Sequence, residues 1–307
     1  MKVDFHVHSS ASDGTVDPAD LATFAAAGGF AAIAITDHDN MDGAEAFLAA
    51  GRKAVSAGAE GGRTLFVPGV ELSIDPGEGF DRFHLLGLGV DGSEPALKAL
   101  MKAVLDGRNR RNEKIFENFR RIGIGDIAPE PHGEVLARPH FAKWLAQNGY
   151  APNVRVAFEK YLLADSPPET RCYESRWRPS QEDAFAAIHA AGGICVMAHP
   201  KYWRLKWKQT GIMPDIDDIR RGLCELKEKG LDAVEAHYNA NTHAENRHFS
   251  KLASGAGLLR SAGSDFHGAN KPAIPIGMHE SETFIGPLVE RLRQCRGIAI
   301  SATEPNP

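Results

Sequence analysis

Cysteine is scarce in this chain and is not arranged in pairs. The four cysteines are Cys172, Cys195, Cys224 and Cys295, and none of them belongs to a C-x-x-C motif. This spacing argues against a disulfide-stabilised fold and against a zinc site built on thiolates. Because so few cysteines suit a reducing compartment, we predict a cytoplasmic protein.

An excess of positive charge and long apolar runs are also lacking. Lys and Arg number 35 against 40 Asp and Glu, which leaves a formal net charge of −5. A basic field over the whole surface is therefore excluded, and we expect no binding of duplex DNA. No run reaches the roughly 18 apolar residues of a membrane span, and no basic and apolar leader opens the sequence, so neither membrane insertion nor secretion is predicted.

What the chain does have is an alternation of β-rich runs with helical segments. The 307 residues are 43% apolar, which is enough for a large core. The runs that predict strands are Lys2 to Val7, Ala31 to Thr36, Leu65 to Glu71, Phe83 to Val90, Ile194 to Ala198, Ala233 to Ala236 and Leu258 to Ser261. The alternation is typical of parallel βα units and favours an α/β barrel over an open sheet.

The alternation stops in the middle of the chain. From residue 94 to residue 172 the sequence becomes helical and charged, with a long helix predicted from Lys102 to Arg121. We interpret 94–172 as an inserted helical subdomain, and 1–93 with 173–307 as the barrel domain.

Ionisable residues follow the predicted strands. His6 and His8 alternate on the first strand, so both side chains point the same way, and Asp13 follows in a turn that Gly14 permits. Two imidazoles on a rigid strand suit a divalent transition metal. An isolated H-x-H is more often two ordinary histidines, and the interpretation as a metal site depends on the strand ends that follow.

Two further strands end in the same kind of residue. Ile33 to Ile35 runs into Asp37, His38 and Asp39, of which His38 is the better ligand candidate. For Asp39, a solvated turn or helix N-cap is an equally good interpretation. The run Phe66 to Val70 ends in Glu71, which is costly to bury without a cation and is suited to bridging two ions.

Three more blocks complete the pattern. His84 lies within the fourth strand, His199 follows the run Ile194 to Ala198, and Asp265 and His267 close the last block. The nine candidate metal ligands are His6, His8, Asp13, His38, Glu71, His84, His199, Asp265 and His267. Because zinc takes four ligands, nine candidates imply two or three divalent ions that share carboxylates.

The joint order of these blocks resembles the polymerase and histidinol phosphatase (PHP) family. The motifs are His6-x-His8, Thr36-Asp37-His38-Asp39, Ala198-His199-Pro200 and Ser264-Asp265-Phe266-His267. The resemblance implies a distorted (β/α)7 barrel, a metal-dependent phosphoesterase activity, and two to three ions of Mn, Fe or Zn, with Mg as a further option.

The family pattern also implies how the nine residues divide among the ions. By resemblance, His6, His8, Glu71 and Asp265 hold one metal. Glu71, His84 and His199 hold a second metal, and Asp13, His38 and His267 hold a third.

Within the family, the insert and the segment Arg138-Pro139-His140-Phe141-Ala142 resemble the branch that includes the YciV/TrpH proteins, also called RNase AM. This implies hydrolysis of 3′,5′-bisphosphonucleotides such as pAp, or degradation of short oligonucleotides from the 5′ end. Arg138 and His140 match the branch's phosphate-contacting pair. The run Lys201 to Lys208 departs from the short Gly-rich stretch expected after Ala198-His199-Pro200.

The expected nucleophile is a hydroxide generated by the metal ions, with Arg138 neutralising the phosphoryl oxygens and His140 or a metal-bound water as general acid. A histidinol-phosphate-type or cyclic-nucleotide phosphoesterase is the alternative enzyme, and a regulatory metal-binding PHP module is the non-enzymatic one. Amidohydrolase chemistry usually needs a carboxylated lysine at a strand end, and the ligand blocks contain none.

Two segments keep two interpretations each. The run with Trp203, Lys206, Trp207 and Lys208 is suited to stacking a base and binding phosphate, although an amphipathic or partner-contacting loop is favoured. His237 follows a strand and is a candidate for supporting the site, although plain packing is favoured.

Overall fold

The computed structural model describes residues 1–56, 64–77, 81–130, 136–203 and 216–298, with 216 and 217 described by their backbone alone. The chain divides into two compact units. The first is Met1–Leu100 with Pro179–Pro307, and the second is Met101–Arg178. The interpretation of 94–172 as an insert remains a prediction.

The first unit contains a mixed sheet. Its strands are β1 (Lys2–Asp4), β2 (Ala32–Ile35), β3 (Leu65–Ile74), β4 (Phe83–Leu88), β5 (Ile194–Met197), β6 (Ala233–Tyr238), β7 (Leu259–Gly263) and β8 (Met278–His279). They are ordered β7-β6-β5-β4-β3-β2-β1-β8. The pairs β1 with β2, β2 with β3, β5 with β6, and β6 with β7 are parallel.

The sheet curves so that β1 also meets β7. Just beyond these strands, Val7 and Phe266 form a parallel bridge. The backbone N–H of Phe5 donates to the carbonyl oxygen of Ala262 at 3.0 Å. The backbone N–H of Asp265 donates to the carbonyl oxygen of His6 at 2.9 Å. The expected α/β barrel is therefore confirmed.

The expectation of parallel strands is wrong for β4, and β8 was not predicted as a strand. β4 runs antiparallel to both β3 and β5, and β8 runs antiparallel to β1. A parallel neighbour needs a crossover of roughly a dozen residues or more, usually a helix. The connection between Ile74 and Phe83 is too short for one, so the chain reverses there.

Helices cover the barrel and build the second unit. They are α1 (Pro18–Ala27), α2 (Ala44–Ser56), α3 (Pro95–Arg121), α4 (Arg138–Gln147), α5 (Val154–Ala157), α6 (Gln181–Ala190), α7 (Ile216–Lys229), α8 (His243–Gly255) and α9 (Glu282–Arg293). A π-helical turn, Phe158–Leu162, follows α5 directly. None of the described helices is both long and apolar enough to span a bilayer.

Side-chain caps fix where several helices begin. The carboxylate of Asp17 accepts from the N–H of Ala19, and Pro18 opens α1 with its backbone already in helical geometry. Thr242 and Glu245 cap α8 reciprocally, because each side chain bonds the other's backbone N–H. The Asp17 cap ends the loop between β1 and α1, and that loop holds the candidate ligands His6, His8 and Asp13.

Each unit has its own apolar core. In the first, α1 and α2 cover the sheet through Phe30, Ile33 and Phe47, all of them buried. In the second, Phe119 and Phe141 stack at 6.2 Å between ring centroids within a separate apolar cluster.

Candidate metal centre

The structure brings all nine candidate ligands into one cluster. Four groups of His, Asp and Glu have ligand atoms within 4.8 Å of one another, and each group shares a residue with another. The groups are His8 with Asp13, His38 and His267; His6 with Glu71 and His199; His6 with His8 and Asp265; and His38 with Glu71 and His84.

Glu71 lies at the middle of this cluster and is 1% exposed. Its Oε2 atom lies 3.3 Å from His6 Nε2 and 3.1 Å from His8 Nε2. The same oxygen lies 2.9 Å from His38 Nδ1. Its Oε1 atom lies 2.7 Å from His84 Nδ1 and 3.2 Å from His199 Nε2. One carboxylate therefore faces five imidazoles, which is the arrangement expected of a ligand that bridges ions.

Asp13 organises a second part of the cluster. Its Oδ1 lies 3.2 Å from His267 Nε2 and 3.8 Å from His8 Nδ1, and its Oδ2 lies 3.9 Å from His38 Nε2. His8 therefore faces both parts, because its Nε2 lies 3.4 Å from Asp265 Oδ1. The division into three separate ligand sets remains a prediction.

Glu235 supports the cluster and was not predicted from the sequence. This buried carboxylate lies 3.0 Å from His6 Nδ1, and its other oxygen accepts the backbone N–H of His199 at 2.5 Å. The contact of Nδ1 with Glu235 leaves Nε2 as the ring nitrogen of His6 that faces Glu71 and the other ligands. The only signal in the sequence is a carboxylate inside the apolar strand β6.

His237 belongs to packing instead, as the favoured interpretation had it. Its ring stacks on Phe284 at 3.9 Å, and its Nδ1 lies 2.8 Å from Glu280 Oε1. The register of β6 against β7 shifts between Glu235 and His237. Since a bulge re-aims side chains, Glu235 and Tyr238 both reach the metal-ligand cluster.

Two more unpredicted groups fix Asp265. Its Oδ2 accepts from Lys271 Nζ at 2.7 Å and from the Tyr238 hydroxyl at 3.0 Å. The other oxygen, Oδ1, remains directed at His6 and His8. Lys271 thus places a cation at the edge of the cluster.

The turns that carry the ligands are backbone-strained. Asp39, His199 and Asp265 have φ values of 54°, 30° and 59°, in the left-handed region that residues other than glycine seldom adopt. Asp39 is also buried, and its Oδ1 accepts the N–H of Ser73 at 3.4 Å. The interpretation of Asp39 as a solvated turn is therefore wrong.

Comparison with known proteins agrees with this arrangement. The PHP domain model matches residues 4–165. A 3′,5′-nucleoside bisphosphate phosphatase from Chromobacterium violaceum is 32% identical over 284 residues, covering 91% of this chain and 91% of that protein. The chain belongs to the PHP domain family.

Two further proteins are similar to this PHP chain. A 5′-3′ exoribonuclease from Haemophilus influenzae is 31% identical over 270 residues, which cover 87% of this chain and 90% of that protein. A solved structure of an amidohydrolase from Chromobacterium violaceum, with bound sulfate and no metal, superimposes with a TM-score of 0.75 at 28% identity. That comparison covers 94% of this chain and 96% of the other.

Charges within the PHP cluster favour ionised carboxylates. Burial would raise the pKa of Glu71, but His38 and His6 lower it well below its ordinary value. Burial likewise opposes ionisation of Asp13 and Asp265, yet the imidazoles lower both pKa values far below the usual range. All three carboxylates are therefore charged at neutral pH.

The imidazoles divide into two classes. Burial alone would lower the pKa of His8, but Asp265 and Glu71 raise it to about 9. The pKa of His6 is also raised, because the charges of Glu71 and Glu235 outweigh the effect of burial. Burial instead dominates at His84 and His267 and lowers both pKa values, so these rings are neutral and ready to bind a cation.

The donor set fits divalent transition ions. Although imidazole nitrogens lie close to Glu71 Oε2 and Asp13 Oδ1, these two atoms and His8 Nδ1 are buried and make no hydrogen bond of normal geometry within the described part of the chain. Buried polar atoms are nearly always paired, so such a concentration at one place needs an explanation. A divalent ion held by imidazole nitrogens and carboxylate oxygens would supply one.

The cluster opens into a cleft of about 560 Å³. His38, Glu71, His84, His199 and Asp265 line its floor, while the remaining lining is mainly basic and aromatic. The cations are Arg82 and Lys271, and the aromatic rings include those of Tyr202 and Tyr238. The cleft therefore combines a metal-binding floor with groups suited to an anionic, ring-containing molecule.

Arg138 and His140 lie at the start of α4, in the second unit. Arg138 is not a free surface residue, because its Nη1 donates to the carbonyl oxygen of Leu162 and its guanidinium lies over the ring of Tyr173. His140 is buried, and its Nδ1 accepts the N–H of Ala137 at 3.0 Å. Their contact with substrate remains a prediction.

The basic and aromatic run Lys201 to Lys208 is only partly described. Residues 204–208, which include Lys206, Trp207 and Lys208, lie outside the described residues. Trp203 is buried and packs edge-on against Phe83, with ring centroids 6.5 Å apart. Trp203 is therefore a packing residue, and the exposed ring beside it is that of Tyr202.

Proposed function

We propose that this chain is a metal-dependent phosphoesterase that hydrolyses phosphate esters of nucleotides. The observation that carries the proposal is one buried carboxylate, Glu71, facing five imidazoles at the floor of an open cleft. The similar proteins named as a nucleoside bisphosphate phosphatase and a 5′-3′ exoribonuclease indicate the substrate class.

We propose two to three divalent ions, Mn, Fe or Zn, held by the nine predicted ligands. Such ions supply a nucleophile at neutral pH and neutralise charge on the phosphoryl oxygens when bound. Other side chains of the site position the metal ligands. Glu235 orients His6, and Tyr238 with Lys271 orients Asp265.

Lys271 also acts on the substrate in this proposal. Its ammonium group lines the cleft, and its side chain is 39% exposed. A phosphate oxygen that approaches the floor therefore meets a cation already held by Asp265. This contact stabilises negative charge on the phosphoryl group in the transition state.

We propose that Arg138 and His140 contact a phosphate group of the substrate. Several other arginines of the second unit lie near Arg138. Burial, together with the charges of Arg108 and Arg138, lowers the pKa of Arg111 to about 9. Repelling guanidinium groups of this kind bind an anion favourably, and guanidinium matches phosphate in a bidentate geometry.

A substrate panel tests the function. The full chain loaded with Mn, Fe or Zn is given pAp, short 5′-phosphorylated oligonucleotides, a cyclic nucleotide phosphate and histidinol phosphate, and product release is followed. We expect the highest kcat/KM on pAp or the oligonucleotides. A higher kcat/KM on histidinol phosphate, or no hydrolysis at all, would overturn the proposal.

The same panel tests Arg138. Arg138→Ala is expected to lower kcat/KM on the preferred nucleotide by about tenfold or more, since a charge-assisted phosphate contact contributes roughly 1.5–3 kcal/mol. Arg155→Ala is the matched control, because Arg155 is an exposed arginine of the same unit paired to Glu159. Unchanged kinetics of the Arg138 variant would remove it from the site.

The cytoplasmic location remains a prediction of the sequence.

A further inference from the structure

Tyr202 is an exposed aromatic residue on the wall of the cleft. It ends the short 3-10 turn Pro200–Tyr202, directly after the candidate ligand His199. Its side chain is 58% exposed, more than any other large apolar or aromatic residue of the described chain.

The turn that carries Tyr202 is fixed on both sides. Trp203, the next residue, is buried against Phe83. Lys201, the preceding residue, donates from Nζ to the carbonyl oxygen of Ala240 at 2.8 Å. The N–H of Tyr202 donates to the carbonyl oxygen of His199 at 3.1 Å. The exposed ring is therefore held by its neighbours before a ligand arrives.

The ring of Tyr202 has edge-to-face aromatic neighbours, and Lys201 Nζ lies over it at 5.9 Å from the ring centroid. The ring meets His199 and Tyr238 in edge-to-face geometry, with ring centroids 5.6 Å and 6.2 Å apart and interplanar angles of 62° and 80°. Parallel stacking is thus not used by either of these neighbours. A planar ligand ring lying against the exposed tyrosine gains an offset-stacked contact.

The position of the ring relates it to the metal-binding floor. His199, 5.6 Å from Tyr202 between centroids, has its Nε2 at 3.2 Å from Glu71. The cations of the cleft, Arg82 and Lys271, provide the charge for phosphate groups. The ring of Tyr202 and the metal-binding floor therefore adjoin each other through His199.

We infer that Tyr202 is the stacking platform for the nucleobase of the substrate, so that the cleft selects nucleotides over simple phosphate esters. This inference rests on the proposed hydrolysis of nucleotide phosphates. It assigns to Tyr202 the role that the sequence offered to Trp203 and its neighbours. Stacking on aromatic side chains accepts every base, so the platform selects for a base without selecting its identity.

The test compares substrates that differ only in the base. The kcat/KM of the metal-loaded full chain is measured on pAp and on ribose 3,5-bisphosphate, which lacks the base. Calorimetry on the metal-free chain compares the Kd of AMP with that of ribose 5-phosphate. The variants are Tyr202→Leu and Tyr202→Phe, with Phe24→Leu as control because Phe24 is an exposed ring of α1 outside the cleft.

Tyr202→Leu is expected to lower the preference for the base-bearing compound by about 5- to 100-fold in both measurements, the range of one base stacked on an aromatic ring. Tyr202→Phe keeps a ring face and should retain the preference within about threefold. The control should keep it fully. An unchanged preference in Tyr202→Leu, or an equal loss on both compounds, would overturn the inference.

Failure of the proposed function gives a different result. In that case the unmodified protein hydrolyses neither pAp nor any other nucleotide, which is visible before any variant is made. If the unmodified protein does hydrolyse nucleotides and Tyr202→Leu keeps its preference, only the assignment of Tyr202 is wrong.

Discussion

At the scale of single residues, the buried carboxyl groups of the site differ in the direction in which their pKa values are shifted. Glu71, Asp13 and Asp265 are kept ionised by the surrounding imidazoles, whereas burial raises the pKa of Asp4 to about 6. Asp4 receives backbone N–H groups of His6, Ser264 and Gly277. Its role is to tie the end of β1 to neighbouring loops.

His8 gives a prediction for pH dependence. Its pKa in the metal-free protein is about 9, because Asp265 and Glu71 outweigh burial. Below that pH the ring carries a proton, which a bound cation has to displace. The apparent affinity for a divalent ion should therefore fall as the pH falls, by about tenfold per pH unit for each displaced proton.

Competition against a chelator between about pH 6.5 and about pH 8.5 measures this slope. His243→Gln is the control, since His243 is an exposed residue at the start of α8 and should leave the slope unchanged. An affinity independent of pH would show that no protonated histidine is displaced.

At the scale of elements, the ends of β1, β6 and β7 have to approach closely. Gly263, the last residue of β7, lies where any side chain would collide with the Glu235 carboxylate and with His6 Cβ. The φ angle of Gly263 is not in the left-handed region, so the backbone conformation does not require a glycine here. The close approach of Glu235 and His6 does require it. Close packing of three strands thus sets the orientation of His6.

Gly263→Ala tests that packing. It should lower the free energy of unfolding by about 1–3 kcal/mol, the usual cost of overpacking, and weaken metal binding by displacing Glu235 and His6. Denaturant unfolding and metal titration measure the two effects.

Gly255→Ala is the matched control for this substitution. The added methyl group would meet only Arg220 Cδ at 3.7 Å, so the protein should be equally stable or more stable by up to about 1 kcal/mol. Equal effects of the two substitutions would contradict the packing argument.

At the scale of the whole molecule, the cluster joins segments that are far apart in sequence. His6 and Asp265 lie near opposite ends of the chain, and Glu71, His84 and His199 come from three other segments. Ions held by these residues would cross-link the barrel. Because they would bind the folded chain and not the unfolded one, they would add to its stability.

Removal of the ions is therefore expected to lower both activity and Tm. At a free metal concentration about 100 times the Kd, binding stabilises the fold by about 2.7 kcal/mol. Calorimetry of the protein before and after chelation, and after Mn or Zn is restored, measures this. Full activity and an unchanged Tm after chelation would contradict a metal centre.

Much of the cluster follows from local sequence pattern. An apolar strand that ends in His, Asp or Glu is recognisable by itself, as in Ile35 before Asp37 and His38. Parallel strands deliver their carboxyl ends to the same end of a barrel, so residues such as His6, His199 and Asp265 are expected together. The PHP family and the α/β barrel were predicted on this basis and are confirmed.

Other features depend on contacts between distant segments. The reversed direction of β4 depends on the short connection after Ile74, and the inward position of Glu235 depends on a bulge against β7. Lys271 and Tyr238 look ordinary in sequence, yet both contact Asp265. No local pattern encodes such contacts, because each partner is chosen by the packing of the barrel.

The sequence by itself thus determined the barrel and indicated the candidate ligands, since strand periodicity and residue chemistry are local properties. Only the tertiary structure decided which groups orient those ligands, and that Tyr202 rather than Trp203 is exposed beside them. The physical reason is that burial and hydrogen bonding depend on three-dimensional neighbours, which adjacent residues in sequence do not specify.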